Sequence, residues 1–349
     1  MRIGPIGENL LERVAILLRL GPRPLLETHG TLLLARSLMV ATKVGVFEAL
    51  AASPLTPGDV ASRCGTDARA TAKLLAVLDA TGYLRSVADG RYALAKDART
   101  WLLAGGAHSL HDNLLFRFVE WDWIARLEGF VRSGDPLDIH AEMSAVEWEL
   151  YQKGMRSLAG ALVREVVLRT PVPRGARTML DIGGSHGFFS VALCRRHRGL
   201  RAEILDLPRA VAEAAPILAR EGLGDRVVHK AGDALTDDLG EAAVDLVFVS
   251  NLLHHFEHGQ SRELIRRAAH ALRPGGVLVI QELFALPAHR RAGQVAALAD
   301  LYFALTSRAG TLSLDAIAGW QREAGLKPRR PLRFVSFPGA GQQNAIKPR

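Results

Sequence analysis

Apolar residues recur at helical spacing through residues 8–20 (ENLLERVAILLRL), and Gly21, Pro22 and Pro24 stop that helix. A second apolar helix is expected over about 26–42, followed by VGVFEALA at 44–51. Thr56-Pro57-Gly58-Asp59 opens a helix, Cys64-Gly65-Thr66-Asp67 turns the chain, and 68–80 reads as another helix before Gly82. Tyr83-Leu84-Arg85 and Arg91-Tyr92-Ala93-Leu94 flank Asp89-Gly90, a strong hairpin signal. Helix, turn, helix and a two-stranded wing together predict a winged helix. Residues 101–170 continue as helices, interrupted at Gly105-Gly106 and at Ser133-Gly134-Asp135-Pro136.

Two prolines and a glycine in Pro171-Val172-Pro173-Arg174-Gly175 end whatever precedes them. Beyond this point the rhythm changes. Short apolar strands are expected at 178–182 (TMLDI), 202–207 (AEILDL), 227–233 (VVHKAGD), 244–250 (VDLVFVS) and 276–282 (GVLVIQE). Helical stretches at about 188–197, 209–221 and 260–272 lie between them. Strand and helix in alternation predict an α/β fold with a doubly wound, Rossmann-like parallel sheet and right-handed crossovers. The chain therefore divides into a mostly helical winged-helix domain at 1–105, a helical connector at 106–170 and the sheet domain at 171–349.

Composition narrows the function classes. With 349 residues, 48% hydrophobic and 23% charged, the chain can bury a substantial core in two domains. Cys64 and Cys194 lie 130 positions apart without a CxxC, which argues against a disulfide framework or thiolate zinc site and fits a reducing cytoplasm. Both read as buried small hydrophobes. The most apolar early stretch, Leu32 to Ala52, carries Arg36, Lys43 and Glu48, so no membrane span and no membrane partner are expected. The net charge of +8 raises the question of nucleic acid, but seven basic residues and one acid lie between Arg322 and Arg349. The helix from Asp67 to Gly82 balances Arg69 and Lys73 against Asp67 and Asp79, a weak electrostatic footprint for DNA. No nucleic-acid partner is expected.

The chemistry collects at the carboxyl ends of the expected strands. Asp181-Ile182-Gly183-Gly184-Ser185-His186-Gly187 follows a strand and opens a helix, where glycines let the backbone turn tightly and approach a ligand. Nicotinamide, flavin and sulfonium cofactors all use such a turn, and Ser185 takes a position often held by glycine. Asp206 ends the second strand, where a carboxylate can take both ribose hydroxyls. Asp233 ends the third strand and can accept from an adenine amino group. Either aspartate alone reads equally well as a cap or turn residue. The fourth strand runs into Ser250-Asn251-Leu252-Leu253-His254-His255-Phe256, and Glu282 follows 28 residues after His254. A histidine there suits general-base work, with a carboxylate holding its other nitrogen. A metal site from His254, His255 and His258 is disfavoured because adjacent histidines point in different directions, and no metal is expected.

Together these residues resemble the caffeic-acid and hydroxyindole type of S-adenosylmethionine-dependent O-methyltransferase. Carrying the resemblance are Gly45-Val46-Phe47-Glu48-Ala49-Leu50, Gly82-Tyr83-Leu84, the 181–187 turn and Asp206-Leu207-Pro208. They continue with Gly232-Asp233, Leu253-His254-His255-Phe256, Arg273-Pro274-Gly275-Gly276 and Glu282, in the family's order over nearly the whole chain. The resemblance implies S-adenosyl-L-methionine as cofactor, S-adenosyl-L-homocysteine as product and a homodimer formed through the N-terminal domain. It implies cofactor binding at Asp181, Gly183, Gly184, Asp206, Leu207, Asp233, Ala234 and Ser250. Gly183 would touch the amino-acid end, Asp206 the ribose, and Asp233 with Ala234 the adenine. Ser250 stands where plant enzymes have a lysine, and His255 where they have an aspartate. His254 matches the family's catalytic base and Glu282 one of two acids flanking it. Tyr151 and Met155 match positions lining the acceptor pocket.

One departure stands out. The second flanking acid should lie in Arg308-Ala309-Gly310-Thr311-Leu312, which contains none, so water or Thr311 is expected to substitute. The expected reaction is methyl transfer to a phenolic or enolic hydroxyl of a small aromatic or polyketide-like natural product. Carbon methylation on the same scaffold is the alternative, and a winged-helix DNA-binding regulator the more remote one.

Overall fold

The computed structural model describes Gly4 and residues 6–285, 293–337 and 339–349. The chain separates into two compact units, one ending at Phe118 and one spanning Val119–Arg349.

In the first unit, helix Leu10–Leu17 is shorter than expected, and a π-helical turn at Leu26–Gly30 leads into helix Thr31–Lys43. Helix α1 (Pro57–Cys64) opens with a capping box between Thr56 and Asp59 and closes on Gly65 in the left-handed region. Asp67 caps helix α2 (Ala68–Ala80) by accepting from the Ala70 N–H. Strands β1 (Leu84–Val87) and β2 (Arg91–Leu94) pair antiparallel, and Asp89 and Gly90 both take positive φ, as a tight hairpin turn requires. Phe47, Leu50, Leu75, Leu78 and Leu94 are its fully buried centre. Leu10, Leu11, Leu17, Leu32 and Leu33 are exposed.

In the second unit, helix α3 (Ala145–Arg169) starts at a Ser144–Glu147 capping box. It packs Ala159, Leu162 and Val166 into the core of the sheet that follows, so it belongs to that unit rather than to a separate connector. Strands β3 (Thr178–Ile182), β4 (Arg201–Asp206), β5 (Val227–Ala231), β6 (Val244–Ser250) and β7 (Leu272–Ala285) run parallel in the order β5-β4-β3-β6-β7. The single-residue turns Gly232 and Leu207 end β5 and β4 slightly earlier than expected. β7 is longer than expected, and β8 (Ala340–Ile346) pairs antiparallel with it from Val277 to Leu283.

Side-chain alternation builds both faces of this sheet. Leu246 and Phe248 of β6 point into a layer with α3 and helix α4 (Phe188–Arg196). Val247 and Val249 point into the opposite layer with helix α6 (His258–Ala271; α5 being Pro208–Arg220). The chain winds outward from β3 in both directions, which places the switch in strand order between β3 and β6. Cys194 is fully buried and Cys64 half-buried. Among the described residues, no helix is long and apolar enough to cross a membrane.

Gly187, at the start of α4, has φ +69°, and a Cβ there would fall 2.4 Å from the Ile204 side chain. Gly187→Ala is therefore expected to destabilise the second unit by about 2–4 kcal/mol through combined backbone strain and overpacking, read by urea denaturation. An unchanged midpoint would contradict this packing.

Candidate active site

A cavity of about 490 Å³ opens at the carboxyl ends of β3, β4, β5 and β6. Gly183, Asp206, Leu207, Asp233, Ala234 and Tyr151 line it; Asp181, Gly184, Ser250, Met155, His254 and Glu282 do not. Gly183 has φ +69°, and a Cβ there would meet the Leu252 side chain at 2.8 Å, so the turn fits closely against the loop after β6.

Asp181 lies beneath the turn. Its Oδ2 accepts from the Ser190 hydroxyl at 2.5 Å, and its Oδ1 has no hydrogen-bond partner among the described residues. A Cβ on Gly184 would fall 2.5 Å from this carboxyl, so the glycine makes room for the acid. Burial raises the Asp181 pKa to about 7; Ser190 pulls it back and Asp206 adds to the rise. Asp206 is oriented by two backbone donors, the N–H groups of Ser185 and Leu207, each at 2.8 Å. Burial raises its pKa as well, and these two bonds oppose the shift.

Asp233 accepts from the Leu235 N–H at 2.9 Å, and its own N–H donates to Asp237. The carboxylate thus shapes a turn while lining the cavity. Ser250 accepts from Gln281 Nε2 at 3.0 Å at the end of β6. Met155 sits on α3, its carbonyl facing the His186 ring. Burial pushes the Tyr151 hydroxyl well above its ordinary range, with the charges of Asp206 and Glu120 adding to it.

Behind the cavity wall, His254 Nδ1 lies 2.9 Å from Glu282 Oε2, both side chains being almost fully buried. Glu282 Oε1 accepts from the N–H groups of Leu252 and Leu253, each at 2.8 Å. A carboxylate only accepts, so Nδ1 carries the hydrogen and Nε2 keeps its lone pair. Asn251, with φ +49°, makes the turn that brings these N–H groups round. The 308–312 segment touches His254 through its backbone, Ala309 N–H donating to the His254 carbonyl at 3.1 Å. The Thr311 hydroxyl is bound to Asp300 instead, and the Phe303 ring stacks 4.3 Å from the His254 ring. Thr311 does not take the place of a second acid.

His255 lines the cavity, its ring 4.1 Å from His254 and 4.8 Å from His140. Burial drives the His255 pKa well below that of an ordinary imidazole, and the neighbouring His254 and His140 rings lower it further. A second cavity of about 490 Å³, bordered by Leu137, Glu257, Thr306 and Ser307, shares Asp138, His140 and His255 with the first. Trp148, Gln152, His140 and Arg209 are lining residues that sequence reasoning missed. The spacing of Trp148, Tyr151 and Gln152 on one helix face was the available signal; His140 carried none. Among the described residues, no group of three His, Cys, Asp or Glu side chains could hold a metal ion.

Residues 134–316 match the model of the O-methyltransferase domain, and residues 26–104 that of the O-methyltransferase dimerisation domain. The chain belongs to the O-methyltransferase family. This O-methyltransferase is similar to the 3-hydroxy-5-methyl-1-naphthoate 3-O-methyltransferase of Streptomyces sahachiroi, 28% identical over 87% of this chain and 89% of the relative. It is also similar to the L-tyrosine C(3)-methyltransferase of Streptomyces lavendulae, 28% identical over 86% of each chain. Human N-acetylserotonin methyltransferase, solved in complex with SAM, shares the fold with a TM-score of 0.83 at 20% identity, over 99% of this chain and 100% of that one.

The buried Asp181 carries a pH prediction. Its folded pKa lies above the unfolded value, so its contribution to stability is full below about pH 4 and is lost as pH rises through about 7. Between pH 5 and 7 this O-methyltransferase should lose about 2–3 kcal/mol from this group. Asp181→Asn should flatten that part of the profile, measured by chemical denaturation across pH. Identical slopes in both proteins would contradict the assignment.

Proposed function

We propose that this O-methyltransferase moves a methyl group from S-adenosyl-L-methionine to a phenolic or enolic hydroxyl of a small aromatic or polyketide-like molecule, with His254 as general base. The observation that carries the reading is the buried His254–Glu282 pair beside the cavity at the switch in strand order. The residues present fit the cofactor. At Gly183 the backbone can approach its amino-acid end where a side chain would clash with Leu252. Asp206, held by two N–H groups, is oriented for the ribose hydroxyls, and Asp233 with Ala234 lies where the adenine would sit. Bound there, S-adenosyl-L-methionine supplies an electrophilic methyl group and leaves as S-adenosyl-L-homocysteine.

The chain's own residues handle the acceptor and its proton. The second cavity, joined to the first at His140 and His255, is where the acceptor would lie. Holding the acceptor oxygen against the methyl group makes a bimolecular step effectively unimolecular. His254 Nε2 takes the hydroxyl proton, while Glu282 fixes the tautomer and favours the imidazolium that results. An ordinary imidazole lies about 3.5 pKa units below a phenol, so complete proton transfer before attack would cost roughly 4–5 kcal/mol. An enzymatic barrier accommodates that cost for a phenol or enol, but an aliphatic alcohol is far less acidic. The match of residues 26–104 to the dimerisation domain supports a homodimer, and Leu32 and Leu33 offer it exposed apolar side chains.

Carbon methylation is the second reading, favoured by the tyrosine C-methylating relative and by the missing second acid.

His254→Ala should lower kcat on a phenolic acceptor by about 10²–10⁴-fold. Its affinity for S-adenosyl-L-methionine by calorimetry should stay close to that of the unaltered protein. Undiminished turnover in that variant would overturn the base assignment.

A further inference from the structure

Within the five residues Gly183–Gly187, three have positive φ: Gly183 at +69°, Ser185 at +50° and Gly187 at +69°. Only Ser185 carries a Cβ, and for such a residue the left-handed region is disfavoured. A conformation of this kind persists where its surroundings over-determine it. Every polar group of Ser185 is engaged. Its N–H donates to Asp206 at 2.8 Å, its carbonyl accepts from His229 Nε2 at 2.7 Å, and its hydroxyl donates to Gln152 Oε1.

The Gln152 end of this contact is unusual. Gln152 is 1% exposed, lines the cavity from α3, and its Nε2 has no hydrogen-bond partner among the described residues. Among the described residues the Ser185 bond is therefore the one side-chain hydrogen bond of Gln152, although a buried amide normally satisfies both ends. The neighbouring His186 accepts from the Phe188 N–H at 3.1 Å, a bond that closes the turn onto the start of α4.

We propose that Gln152 is a positioning residue for the cofactor, holding Ser185 in the left-handed conformation that aims its N–H at Asp206. The inference rests on reading the cavity as the S-adenosyl-L-methionine site. If the Gln152 contact is removed, Ser185 is free to relax toward negative φ, which swings its N–H away from Asp206. The carboxylate then keeps only the Leu207 N–H and loses its fixed orientation toward the ribose. Gln152 thus acts through Ser185 and Asp206 rather than on the reacting atoms. The tie also joins the turn to the helix that presents Tyr151 to the same cavity.

A double-mutant cycle read by calorimetric titration with S-adenosyl-L-methionine tests this, because glycine adopts positive φ without help. Gln152→Leu should weaken binding about 5–20-fold in the native background and less than twofold in a Ser185→Gly background. Gln152→Met, closer in length, repeats the cycle if the leucine variant does not fold, and thermal melts check each protein. An equal loss in both backgrounds would overturn the proposal, since Gln152 would then act on the ligand directly or on the fold at large. No loss in either background would overturn it as well. If the unaltered protein does not bind S-adenosyl-L-methionine, the reading of the cavity itself falls, and this inference with it.

Discussion

One buried carboxylate organises the loop that follows β6. Glu282 collects three donors, the N–H groups of Leu252 and Leu253 and the Nδ1–H of His254. These contacts bend the chain sharply after β6 and fix one tautomer of His254. They exist because β6 and β7 are parallel neighbours in register, Ser250 opposite Gln281, so that Glu282 lies level with the start of the loop. Removing the acid would leave two backbone N–H groups and an imidazole unpaired in the interior, a penalty far above the worth of any single hydrogen bond. With both oxygens of Glu282 engaged, the ring of His254 is set without a second acid. Phe303 and the backbone of Ala309 cover the remaining sides.

The cavity at the ends of β3 and β4 is built on a different balance. Asp181 and Asp206 are both carboxylates in poorly solvated surroundings, and burial raises the pKa of each. Two backbone N–H groups oppose that rise at Asp206, while Asp181 has one hydroxyl. The distinction suits their places: Asp206 faces the cavity, and Asp181 supports the glycine turn from below. The histidines nearby follow the same logic with the sign reversed. Burial keeps His186 and His255 neutral, so each retains one donor and one acceptor nitrogen. The wall shared by the two cavities is therefore polar without carrying positive charge at His255.

Much of this was legible from the residues alone, for definite reasons. Short apolar runs such as TMLDI and VDLVFVS, closed by glycine or a polar turn, mark buried parallel strands, and the strands lie where those runs put them. Asp89-Gly90 marks the wing because few other pairs take positive φ twice in succession. The pairing of His254 with Glu282 follows from their positions at adjacent strand ends. Long-range consequences were less visible. That α3 joins the sheet unit depends on Ala159, Leu162 and Val166 meeting β-strand side chains far along the chain. His140 reaches the cavity from a short helix without periodic signal, and the Thr311 hydroxyl turns to Asp300, 11 residues earlier. The serine in the glycine turn was noticeable, but its positive φ and its tie to Gln152 belong to the folded chain.

The proposed function stands or falls on transfer of the methyl group to oxygen, with buried His254 removing the proton. The direct measurement is carbon NMR of the product after incubating the protein with a phenolic acceptor and S-adenosyl-L-methionine labelled with ¹³C in its methyl group. The label is expected in an aryl methyl ether, at the chemical shift of carbon bonded to oxygen. A label on ring carbon, or one that stays in the donor while the protein demonstrably binds both molecules, would contradict it.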